Sequence, residues 1–154
     1  MLGAITFAGK VVMMALPNIE PVSLMTMLFA VVFGRKCLYP IYVYVLLEFI
    51  LYGFHLWSIN YLYVWAILAL AAWLMRNMTH PLSWALLSGG FGLFFGVLCA
   101  PVYAFSGGFG FALSWWVSGI PFDLLHCAGN FAIALVLFVP LRRLLEQFYA
   151  KIVN

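Results

Sequence analysis

Charge is the scarcest property of this chain: only 7% of its 154 residues are charged, while 68% are hydrophobic. Soluble domains carry roughly a quarter charged residues, so this composition cannot supply a water-facing shell and most of the exterior must meet lipid. Cysteine is sparse as well. Cys37, Cys99 and Cys127 make an odd set with no CxxC pair and read as buried, unreactive thiols. HExxH, GxSxG and P-loop patterns are all missing. The chain is therefore not expected to be an enzyme, and any ATP-driven work falls to a partner. His55, His80 and His126 lie in separate segments, which gives no metal or haem site, and no cofactor is expected. The net charge of +3 is too small and too dispersed for a nucleic-acid partner.

What is present is apolar length. A spanning helix needs about 20 apolar residues to cross a hydrocarbon core of about 30 Å, so a chain of this size holds about six spans with very short connections. Breaks at Pro, Gly and polar clusters divide it into expected spans 3–16, 22–34, 37–53, 61–75, 82–105 and 121–140, one membrane domain over 1–154. Strands in lipid would alternate with period two and close into a barrel. Runs such as Ile41 to Leu51 and Phe131 to Phe138 are apolar on every side, so the fold class is an all-α integral membrane protein, a six-transmembrane-helix bundle. The first apolar run lacks a preceding basic region and is interrupted by Lys10, and it reads as a span rather than a cleaved signal.

Orientation follows from basic residues, which concentrate on the cytoplasmic side. Arg35 and Lys36, Arg76, and then Arg142, Arg143 and Lys151 occupy alternate connections, while the connections near 17–21, 54–60 and 106–120 hold no Lys or Arg. Both termini are thereby expected in the cytoplasm. The outer connections carry aromatics, polar residues and glycines. The longest, Ser106 to Pro121, holds Gly107, Gly108 and Gly110 ahead of Trp115 and Trp116, and reads as a lid over an outward-facing pocket.

Ionisable groups inside a span are expensive and face the bundle interior. Asp123, His126 and Asn130, spaced i, i+3, i+7, share one face of the sixth span. Glu48 lies in the outer half of the third, with Tyr44 one turn below, and Lys10 is a fourth intramembrane charge. Two readings stand side by side: these groups satisfy one another and lock the helices, or some of them bind a polar ligand in an aromatic pocket. On the second reading the candidate substrate-binding residues are Glu48, Trp57, Asn60, Tyr61, Trp65, Trp115, Trp116, Asp123, His126 and Asn130. Ser88, Gly92, Gly96 and Ala100, each four apart, form a small-residue ladder for packing within the chain; Ala4 and Ala8 form a shorter one that suits contact inside the chain or with another membrane subunit.

The segment Gly119-Ile-Pro-Phe-Asp-Leu-Leu-His-Cys-Ala-Gly-Asn-Phe-Ala-Ile-Ala-Leu, followed by Pro140-Leu141, resembles the last helix of S components. These are the substrate-binding subunits of energy-coupling factor (ECF) vitamin transporters. The Pro-Asn-Ile-Glu-Pro-Val turn and the Phe33-Gly34 end of the second span are similar to the same family. The resemblance implies a multi-pass subunit of a prokaryotic cell membrane that captures a vitamin at the outer face. It also implies three partners, a transmembrane T component and two cytoplasmic ATPases, with Ala4 and Ala8 touching the T component. Lys10 departs from the family pattern. Aromatic walls fit a flat heteroaromatic ligand, and the few charges favour a small, mostly neutral one. An intramembrane enzyme using Asp123 and His126 as an acid/base pair, or an assembly subunit without a ligand, are the competing expectations.

Overall fold

The computed structural model describes residues 1–15 and 20–153. The expected proline-bounded turn after the first helix falls partly on residues 16–19, outside the described residues. The order is α1 (Leu2–Val12), α2 (Val22–Phe33), a 3-10 turn (Gly34–Cys37), α3 (Leu38–Tyr52), α4 (Leu56–Asn60), α5 (Val64–Leu74), α6 (Pro81–Leu93) and α7 (Phe95–Val153). Helices are what lipid requires, because each backbone N–H and C=O must bond within its own segment. Val22–Tyr52, Leu56–Leu74 and Pro81–Ile152 are long and apolar enough to cross a membrane, and Leu2–Val12 is a shorter apolar helix. By length and composition the described residues thus hold three such stretches and the shorter α1. Leu46, Ile50, Leu70, Leu86, Phe94 and Val136 stand 56–67% exposed, a surface suited to lipid rather than water. The chain is an all-helical membrane protein.

Glycines set where the long stretches break. Gly34 and Gly53 end α2 and α3 at φ 57° and 81°, and Gly108 lies at φ 83° inside α7. A residue with a β-carbon is strained in that left-handed region. At Gly108 the helix doubles back on itself. Tyr103 stacks on Trp115 at 3.9 Å, Gly96 donates its N–H to Asp123, Gly92 abuts the backbone of His126, Gly89 abuts Phe131, and Trp84 stacks on Phe138 at 4.1 Å. Moving away from Gly108, the partners separate along both limbs in step, which is the register of an antiparallel helical hairpin.

This hairpin corrects the expected outer loop. Residues 106–120 are helical apart from Gly108, so Gly107 and Gly110 are not hinges and Trp115 and Trp116 are carried on a helix instead of a lid. The expected sixth span, 121–140, is the middle of a helix running over 109–153 with Pro121 and Pro140 inside it. Proline removes one donor and bends a helix. Neighbouring helices let apolar spans tolerate Gly and Pro far better than soluble ones do. The connection expected at 54–60 also contains a helix, α4, whose start is capped by His55 accepting from the Ser58 N–H at 3.3 Å.

The small-residue ladder lies inside the hairpin. A β-carbon on Gly92 would sit 2.7 Å from the His126 carbonyl, and one on Gly96 would strike the Asp123 carboxylate. Basic residues gather at the end away from Gly108. Arg142 donates to the carbonyls of Arg76 and Met78 at 3.4 and 3.2 Å, and Phe33, beside Arg35 and Lys36, packs edge-on against Tyr149 at 5.0 Å.

Candidate ligand cavity

Towards the Gly108 end, three cavities share Trp57 as a wall. The first, about 360 Å³, lies between Trp57, Phe95, Trp115, Phe122 and Asp123. A second of about 280 Å³ runs between Lys10, Glu48, Tyr52, His55 and Tyr61. The third, about 220 Å³, brings Lys10, Glu20, Tyr61, Asp123 and His126 together. The first reaches the size of small-molecule sites, and all three share their make-up, mostly aromatic with a few polar anchors.

Lys10 is the electrostatic hub. Carried on the last turn of α1, its Nζ reaches both Glu48 carboxylate oxygens at 2.9 Å and Glu20 at 4.0 Å. It also sits 5.3–5.9 Å from the ring centres of Tyr61, Tyr52 and Tyr44, within cation–π range. Burial pushes the Glu20 carboxyl above its ordinary range, with Lys10 opposing and Glu48 adding to the shift. Trp57 Nε1 donates to the Tyr61 hydroxyl at 3.0 Å, which fixes the indole against the hub. Below this layer Trp65, fully buried, packs on Tyr44, Tyr61, Phe91 and Phe95.

Asp123 and His126 project from α7 on the opposite wall. Asp123 Oδ1 accepts the Gly96 N–H at 3.1 Å, a donor of the first turn of α7 that a helix start leaves free. Asp123 Oδ2 and His126 Nε2 are buried without hydrogen-bond partners. They are not bonded to each other, so the two side chains do not form the relay that an acid/base pair would use. The His126 ring packs edge-on against Phe95 at 4.9 Å.

The expected binding residues thus divide. Glu48, Trp57, Tyr61, Trp115, Asp123 and His126 line the cavities. Asn130, on the same buried face of α7, instead donates to Ser23 Oγ at 2.9 Å and to the Ser88 carbonyl at 3.4 Å, pinning α2, α6 and α7 together. Asn60 is fully buried and bonds Tyr63 Oη at 2.9 Å and the Trp57 carbonyl at 3.3 Å. Trp65 lies beneath the cavities, and Trp116 packs close to Gly96. Sequence reasoning did not place Glu20, Phe95 or Phe122 in the site, and it kept Lys10 apart from it. The one available signal was that two acidic residues and a lysine stood near the same expected membrane face. Ala4 and Ala8 are exposed on α1, opposite Gly3, Thr6 and Phe7, which are buried.

No protein-family model, curated protein or solved structure matched this chain. The fold and the cavities therefore define the class by themselves: a helical membrane protein with an aromatic, polar-anchored cavity towards one end of its bundle.

Proposed function

We propose that the chain is the substrate-binding S component of an ECF-type transporter, capturing a vitamin-like heteroaromatic compound at the outer face of a prokaryotic cell membrane. The observation that carries this reading is the group of cavities around Trp57, where aromatic walls meet buried polar atoms that lack partners. No ATP-binding motif is present, so the energy comes from a T component and two ATPases. In this arrangement the helices cross six times, α6 with the first limb of α7 making the fifth pass and the limb after Gly108 the sixth, and both termini face the cytoplasm. The grouping of Arg35, Arg76 and Arg142 at the opposite end from the cavities supports that orientation. Reporter fusions after Arg76 and after Asn154 are expected to read cytoplasmic and a fusion at Gly108 external; one reversal removes the topology.

The exposed Ala4 and Ala8 offer a smooth strip for close approach of a T-component helix. Co-expression with a T component and its ATPases is expected to yield one complex and ATP-dependent uptake. Ala4→Trp/Ala8→Trp is expected to reduce co-purification at least tenfold without changing the melting temperature of the isolated subunit. An isolated chain that never joins such a module would overturn the transporter reading.

A further inference from the structure

Charge around Trp57 is lopsided. Glu20, Glu48 and Asp123 contribute carboxylates to the cavity walls, and Lys10 is the single Lys or Arg among the lining residues. The Lys10 charge is already engaged by both oxygens of Glu48 at 2.9 Å. Asp123 has no such cation. Its Oδ1 is held by the Gly96 N–H, while Oδ2 is buried and unpartnered in a side chain only 7% exposed. One turn further along α7, His126 is 5% exposed and its Nε2 is likewise buried and unpartnered. Both line the same cavity of about 220 Å³, which Trp57, Tyr61 and Phe95 wall with rings.

Buried polar atoms are nearly always satisfied, so two orphans on residues that line one cavity mark a place for a bonding partner. A carboxylate oxygen is an acceptor only, so Asp123 Oδ2 calls for a donor, while His126 Nε2 accepts or donates according to its tautomer. Aromatic faces carry negative potential and favour a cation over a neutral ring, and a charge-assisted bond to a carboxylate is about twice as strong as a neutral one. An anion there would meet the carboxylates of Glu20 and Asp123 and find Lys10 occupied by Glu48.

We propose that the cavity selects a small, flat cation whose N–H-bearing positive group donates to Asp123 Oδ2 beside His126 while its ring packs against Trp57 and Phe95. This narrows the mostly neutral ligand expected from composition to a cationic one such as an amidinium or a protonated aminoheterocycle. It rests on the reading of the cavity as a small-molecule site.

Three probes of one shape separate the possibilities: benzamidine, which is cationic, benzamide, which is neutral, and benzoate, which is anionic. Binding to the purified full-length chain is followed by calorimetry at neutral pH. Benzamidine is expected to bind at least tenfold tighter than benzamide, with benzoate weakest. Asp123→Asn is expected to cut the benzamidine preference below threefold while leaving benzamide affinity in place. The wild-type ranking decides the matter even if that variant does not fold. Benzamide or benzoate binding as tightly as benzamidine would overturn the cation assignment and leave a binding subunit standing. No saturable binding of any probe would overturn the assignment and count against the small-molecule cavity as well.

Discussion

Gly92→Ala is expected to lower stability by about 2–3 kcal/mol, and any larger side chain at this position to prevent accumulation of folded protein. A β-carbon at Gly92 meets the carbonyl carbon and oxygen of His126 at 2.7 Å and the Cys127 amide nitrogen at 2.8 Å. These are backbone atoms of a packed helix, so no rotamer change relieves the clash and the two limbs of the hairpin must part. The displaced segment carries Asp123 and His126, so the cavity is deformed along with the fold. Gly90, two residues earlier, has nothing within 4 Å of its would-be β-carbon. Gly90→Ala is therefore expected not to lower stability and to gain up to about 1 kcal/mol, as alanine does over glycine inside a helix. Thermal melts of the two variants in the same detergent make the comparison. Equal melting temperatures would mean that the hairpin does not pack in this register.

Lys10→Met is expected to be as damaging, for an electrostatic reason. Glu48 is 6% exposed and receives both of its close ion contacts from Lys10, with Glu20 nearby. Removing one partner of a buried pair strands the other charge, at a cost of about 3–5 kcal/mol. The loss belongs to the uncompensated carboxylate, so it should be reversible by removing that charge too. Lys10→Met combined with Glu48→Gln is expected to recover more than half of the lost stability. A melting temperature for Lys10→Met within a degree or two of wild type would place the pair in the class of weak surface bridges.

Composition and apolar run length were enough to read the helical, lipid-facing character of the chain. The ends of α2 and α3 were legible too, because Gly34 and Gly53 break those helices for a local steric reason that the residue type itself expresses. The hairpin was not legible in the same way. Gly107, Gly108 and Gly110 look alike in the sequence, yet only Gly108 leaves helical geometry, and what keeps its neighbours helical is packing of one limb on the other. Pro121 misled for the same reason: a proline reads as a helix start, and here a neighbouring helix holds the chain straight through it. In the site, the i, i+3, i+7 spacing put Asp123, His126 and Asn130 on one buried face. It could not show that Asn130 is used up by Ser23, 107 positions away in sequence. Nor could it bring Lys10 to Glu48 across 38 positions, since no periodicity links two helices.

The central claim is that the space around Trp57 holds the transported ligand. It is tested most directly by calorimetric titration of a panel of pyridine, pyrimidine and flavin vitamins into wild type and Trp57→Ala, each paired with a melting curve. The account predicts saturable binding of at least one compound to wild type. It also predicts a loss of affinity of about thirty-fold, or 2 kcal/mol, in folded Trp57→Ala, the usual cost of removing an aromatic anchor. A Trp57→Ala protein that melts normally and keeps wild-type affinity for the bound compound would contradict it.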